Sequence, residues 1–166
     1  WLGDAAHLQT YSLKAGFDDL AIKARDSFPG TTGLSGTLDA NEQGGNATLR
    51  SKKVTIDLPS VFPESRVALD TLNAYAKWKI NKGVIDASLT RADFAGPEAA
   101  GTAQGKYQYT GNGPGVIDLN AALVRADART VWRYMPHVVG EATRFWLRDS
   151  LLSGGASEAK LTLRGN

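Results

Sequence analysis

Apolar and polar residues alternate with period two through most of the first two-thirds of the chain, the pattern of strands with one buried face. Tyr11, Leu13 and Ala15 alternate with Ser12 and Lys14, and Leu20, Ile22 and Ala24 with Ala21, Lys23 and Arg25. Leu34 and Leu38 follow, then Ala47 and Leu49, then Val54, Ile56 and Leu58. The apolar phase changes across Ser51 to Lys53, which predicts a bulge or bend there. After Pro59 the alternation resumes with Leu72, Ala74, Ala76, Trp78 and Ile80, then Ile85, Ala87 and Leu89. Ala99 to Tyr109 reads as a small-residue strand, and Ile117, Leu119, Ala121 and Leu123 give the cleanest alternation of all. Polar, glycine-bearing turns at 41–45, 81–83 and 111–115 join these runs, so an antiparallel meander of repeated hairpins is the expected topology.

The period changes at Asp127, which can cap a short helix running to about Met135 before Pro136 stops it. A second helix is expected from about Gly140 to Leu152, with Ala142, Phe145, Trp146, Leu147, Leu151 and Leu152 at three- and four-residue spacing. Ala159, Leu161 and Leu163 then restore a strand. The expected fold is therefore mainly β: one curved antiparallel sheet, a half-pipe or groove, with short helices near residues 127–152. Residues 1–166 read as a single β-rich segment.

Composition narrows this little. The chain has 166 residues, 18 of them glycine, and a formal net charge of +2, too small to point to nucleic acid or an acidic ligand. It has no cysteine, so disulfides, zinc thiolates and cysteine nucleophiles are excluded. It begins at Trp1 and its one methionine is Met135, which reads as an internal piece or a processed form; no signal-peptide pattern stands at its start. No apolar run is long enough to span a bilayer.

The search for chemistry returns no catalytic residues and no metal site. His7 and His137 stand in no metal-binding pattern. Gly33 to Gly36 lacks the strand-to-helix turn of a nucleophile elbow. A calcium loop from Asp39 would need an acid where Arg50 stands, and glycines 111, 113 and 115 lack the lysine of a phosphate loop. Asp18 and Asp19 are adjacent, so a regular strand would point them to opposite faces. Asn46-Ala47-Thr48 matches a glycosylation acceptor, a pattern common by chance. Trp78 lies between two lysines that a strand turns away from it, which is not a base-stacking platform.

What remains is a mismatch. Eight or more strands carry one apolar face, and two short helices are too few to cover it. A sheet that large must close, stack or leave that face available. Ala99, Gly101, Ala103 and Gly105 would let it curve and keep the concave side open. The candidate floor of such a trough is Leu34, Leu38, Leu72, Trp78, Ile85, Leu89, Ile117, Leu119 and Leu123, each of which could instead be ordinary core under a helix. Phe145 and Trp146 would dock the helix to the sheet or cover the groove, with docking favoured.

Arg133-Tyr134-Met135-Pro136, Trp146-Leu147, Leu151-Leu152, Gly154, and Leu161, Leu163 and Gly165 together resemble a recurring segment of the YhdP branch of AsmA-like proteins. Met135 stands where that segment usually has leucine. Residues 33–38, 45–51 and 113–128 fit the same family's strand pattern, and the resemblance covers the chain from about residue 11 onward. It implies an internal part of a Gram-negative envelope protein on the periplasmic side of the inner membrane, anchored through a part outside this segment. It further implies a β-groove that carries phospholipid or other acyl lipid between the inner and outer membranes without catalysis or cofactors. Membrane contact would be made by other parts, and nucleic acid is not an expected partner. The competing readings are a structural or assembly scaffold that binds other envelope proteins, and, much less favoured, an enzyme.

Overall fold

The computed structural model describes residues 10–25, 29–113 and 115–165. Seven strands follow one another: β1 (Ser12–Ile22), β2 (Gly30–Asn41), β3 (Gly44–Asp57), β4 (Arg66–Asn81), β5 (Val84–Ala95), β6 (Ala99–Tyr109) and β7 (Val116–Asp127). A 3-10 helix (Ala128–Tyr134) and α1 (Glu141–Ser150) come next, then β8 (Gly155–Ala156) and β9 (Ala159–Gly165). Each strand pairs antiparallel with the next from β1 to β7, and β8 and β9 both pair with the far side of β7. The result is one open, curved meander, as the alternation and short turns predict.

The helix boundaries follow their signals. The Asp127 carboxylate accepts a hydrogen bond from the Arg129 backbone N–H and so caps the 3-10 helix, which ends at Tyr134 before Pro136. Lys82 and Gly83 both have positive φ, the conformation a two-residue hairpin loop demands.

The strands are 11 to 16 residues long from β1 to β7. Regular alternation could not hold one apolar face over such lengths, because the apolar residues change phase along the way. The backbone compensates. β1 is bulged at Asp18–Asp19, where Asp19 has φ 49°, and β2 breaks register at Gly33, with φ 80°. Lys53 in β3 has φ 55°, at the phase change expected from the sequence, yet β3 and β4 stay in register through it (Lys52 opposite Thr71, Val54 opposite Leu69). Both strands change phase together, so no residue is inserted between β3 and β4, whereas against β2 this stretch of β3 carries two extra residues. β5 is bulged at Thr90–Arg91 and β7 at Val124–Arg125. Such irregularities bend strands and increase their twist. Here they also return the apolar residues to the inner face after each change of phase.

The buried Ser51 and the half-buried Ser35 stitch the first three strands at these bulges. The Ser35 N–H donates to Ser51 Oγ at 2.9 Å, and the Ser51 hydroxyl donates to the Ser35 carbonyl at 3.0 Å. Ser35 in turn donates to Asp18 and accepts from the Asp19 N–H. This is what the Gly33 to Gly36 segment does. Its serine closes a bulge.

Little is buried. The central cluster is Val54, Leu69, Leu72 and Ala92, with Leu34, Leu49, Ile56, Val67, Ala74, Leu89, Phe94 and Ala103 packed against it. The accessible surface is 11,575 Å². A compact monomer of this mass would expose about 8,000 Å². The excess fits the geometry of a single layer, in which, among the described residues, no second sheet and no helix covers the apolar side.

Candidate functional site

The inner face is built from rows of residues that the register places side by side across the strands. One row runs Leu13, Ala40, Gly45, Trp78, Ala87, Tyr107, Ile117 and Gly165. The next runs Ala15, Leu38, Ala47, Ala76, Leu89, Gly105, Leu119 and Leu163. A third runs from Phe17 through Leu49, Ala92 and Ala121 to Leu161, and a fourth from Ser51 through Leu72, Phe94, Gly101 and Leu123 to Ala159. No carboxylate, amine or guanidinium stands in any of these rows. With eight strands at about 4.8 Å spacing, each complete row is about 34 Å long. That is more than twice the depth of one leaflet's hydrocarbon, half of a core about 30 Å thick.

The opposite face is ionic and polar. One residue out of phase with the second row stand Lys14, Asp39, Asn46, Lys77, Ser88, Lys106, Asp118 and Arg164. The ends of that row are paired, Lys14 with Asp39 at 3.2 Å and Arg164 with Asp118 at 3.3 Å. The pairs are exposed and contribute little to stability. Their effect is to keep one side of the layer wetted while the other stays apolar.

All nine floor residues expected from the sequence share the apolar face. Leu38, Leu89 and Leu119 lie in one row, Trp78 and Ile117 in another, and Leu72 and Leu123 in a third. Ile85 lies between Ile80 and Tyr109, and Leu34 opposite Leu20. Sequence reasoning missed Phe17, Leu49, Phe94, Leu161 and Leu163 as members of the same wall. Leu49 was within reach of the alternation in β3. Phe94 was not, because the β5 bulge shifts its phase. At the glycines expected to admit curvature the neighbouring backbone comes close. A Cβ on Gly101 would lie 2.2 Å from the Ala122 carbonyl oxygen, a separation only glycine permits.

The helical insert does not lie on this face. The 3-10 helix is clamped at the ends of the strands. Both Arg133 and the Tyr134 hydroxyl donate to the Glu98 carboxylate in the β5–β6 turn. The Tyr134 ring meets Phe62 edge-on at 6.2 Å. His137 donates its backbone N–H to the Val61 carbonyl and places Nε2 2.9 Å from the Pro59 carbonyl, in the β3–β4 connection. Burial foremost, then the bond to Glu98 and its charge, push the Tyr134 phenol well above its usual range.

α1 packs chiefly on the 3-10 helix. Docking of Phe145 and Trp146 to the sheet is therefore corrected: they are 40% and 64% exposed, and the buried residue of α1 is Arg144. The amphipathic pattern had read the aromatic side as the inner one. Arg148 lies over the outward Phe145 ring at 4.7 Å. His7 lies outside the described residues. Among the described residues no three His, Asp or Glu side chains converge as a metal site, and no helix is long and apolar enough to cross a membrane.

The fold and its inner face define the class: an open, single-layer β-gutter with one wall free of charge and the other ionic. The particular family follows from the sequence itself, since the family model described as YhdP protein matches residues 3–166. The chain belongs to the YhdP family, a family of the bacterial envelope. No curated protein and no solved structure matches it.

Proposed function

We propose that this chain is a length of wall in a non-enzymatic lipid conduit. Its inner face would carry the acyl chains of phospholipid between the inner and outer membranes, on the periplasmic side of the inner membrane of a Gram-negative bacterium. The observation that carries this reading is the set of rows free of charge, running from the first strand to the last on a face that no other described element covers. A lipid chain sliding along a wall needs continuous apolar contact and no polar tether, whereas a small-molecule site needs a few placed polar groups in an enclosed pocket. The ionic outer face accounts for how such a layer stays wetted on the other side.

The test is to purify the full-length protein from bacterial membranes, extract it with solvent and weigh the bound lipid, with Leu119→Lys as the control. Stoichiometric phospholipid in the parent and a loss of at least about tenfold in a folded Leu119→Lys variant is the expected result. Equal lipid in both would end the proposal. A second reading, an assembly scaffold, is favoured by the two sheet edges, β1 and β9, which pair with no further strand among the described residues and offer backbone groups to other envelope proteins. It predicts that lipid is absent from both preparations and that a protein partner is retained in both.

A further inference from the structure

We propose that Arg144 anchors a phosphate-binding site on the helical insert. The ligand is the headgroup of a lipid whose tails lie on the inner wall, so the inference rests on the conduit reading above. Arg144 is the fourth residue of α1 and is only 6% exposed. Its Nε is sealed from solvent and has no hydrogen-bond partner. The two terminal nitrogens are not sealed in this way and make no bond among the described residues. The side chain is therefore a buried stem with its fork at the surface.

No counter-charge reaches that fork among the described residues. The carboxylates of the insert and its clamp are committed elsewhere: Glu98 to Arg133, Asp127 to Arg129 and Asp149 to Arg148. Glu141, one turn earlier on α1, is exposed and forms no ion pair with it. The Phe145 ring stands 5.9 Å from the guanidinium, at the limit of cation–π attraction. A guanidinium whose Nε is withdrawn from water without a partner is costly. Its parallel N–H groups match the oxygens of a phosphate two at a time.

The surroundings select the kind of phosphate. Beside Arg144 on the same helix, Phe145 and Trp146 are exposed, and Val138 and Leu152 at its flanks are 91% and 80% exposed. The insert that carries them is clamped where β3 and β7 end and β6 begins, at the margin of the apolar wall. A ligand that satisfies a buried cation, an apolar collar and a nearby hydrocarbon-binding wall carries one phosphate and long tails. Inorganic phosphate supplies the same anion without the tails.

The test compares wild-type full-length protein with Arg144→Met and Arg144→Lys. The probes are phosphatidylglycerol and diacylglycerol with identical fluorescent tails, and inorganic phosphate alone. Arg144→Met should weaken phosphatidylglycerol binding about tenfold, the usual worth of one charged hydrogen-bonding group, and leave diacylglycerol unchanged. Arg144→Lys, which keeps the charge and loses the fork, should fall between. Binding of inorganic phosphate that is lost in Arg144→Met, with no change for either lipid, would keep the anion site and overturn the headgroup as its source. Equal loss of both lipids would mean that Arg144 only shapes the insert, and no change for any probe would remove the site. Failure of diacylglycerol to bind the wild type would count against the apolar wall itself, separately from Arg144.

Discussion

The indole of Trp78 lies across Gly45 of the neighbouring strand, so that a Cβ on Gly45 would sit 2.7 Å from Cζ2 of the ring and 2.5 Å from the Asp39 carbonyl oxygen. The large residue fills the space that the small one leaves, and the wall stays smooth at that point. Gly45→Ala should therefore displace both the indole and the β2 backbone. A loss of about 1–3 kcal/mol is expected, as for other overpacked sites. Urea unfolding followed by Trp fluorescence would measure it, and an unchanged midpoint would show that the strands give way freely.

The two faces of β4 make a sharper functional contrast. Ala76 stands in an apolar row and Lys77, the next residue, in the ionic one. Ala76→Glu should abolish lipid carriage in the full-length protein. Lys77→Glu should leave it intact. Both should fold, because the inner face is open and a carboxylate there can still reach water. Complementation of a deletion strain by each variant, with immunoblots for abundance, decides the matter, and equal complementation would place the working surface elsewhere.

Glu98 holds the insert by accepting from both Arg133 and Tyr134. Glu98→Gln removes the charge and leaves the arginine partly buried with no anion beside it. The pair is a fifth to a third exposed, so solvent screens part of the cost, and about 1 kcal/mol is expected. The loss should be local. Hydrogen exchange should quicken across residues 128–150 and stay unchanged in β3 and β4.

The raised Tyr134 phenol gives a dependence on alkaline pH with a definite sign. Folding raises its pKa above the unfolded value near 10, so its contribution is complete below that pH and is lost as pH climbs beyond it. The insert should loosen above about pH 10, with proteolysis appearing first around residues 135–140. Tyr134→Phe should remove that alkaline sensitivity. A profile identical in the variant would assign it to other groups.

The same logic runs the other way in acid. The Arg129 side chain holds Asp127 below the usual carboxylate range, with the backbone N–H it caps as the second cause. A depressed pKa stabilises above the unfolded value near 4 and is lost as pH falls through the folded one. Helical ellipticity of the insert should decline on acidification below about pH 4, and Asp127→Asn, which still accepts the capping bond, should blunt that decline.

Much of the fold was legible because the chain spends most of its length in the simplest pattern there is. Alternation located β4, β6 and β7 and grouped all nine chosen floor residues on one face. The break at 51–53 announced itself as two apolar runs of opposite phase. The bulges at Asp18–Asp19, Thr90–Arg91 and Val124–Arg125 did not. A bulge is defined by the partner strand, and a single sequence does not reveal which residue is left unpaired. The insert was misjudged for a related reason. Its two helices were placed correctly along the chain, but the side they turn inward depends on Glu98 and Val61, residues far away in sequence, and Arg144 looked like one more surface charge.

Every substantial contact between the described elements of the sheet is between strands that lie side by side, and β4 makes its substantial contacts with β3 and β5. Such an arrangement behaves as a line of coupled units, with stability summed from one junction to the next. Removing one whole hairpin leaves the strands on either side antiparallel and able to join, at the expense of about 10 Å of span. Adding one lengthens the layer by the same step. The reach of a protein built this way can thus be altered in evolution by duplicating or deleting hairpins, with the remainder of the layer left as it was.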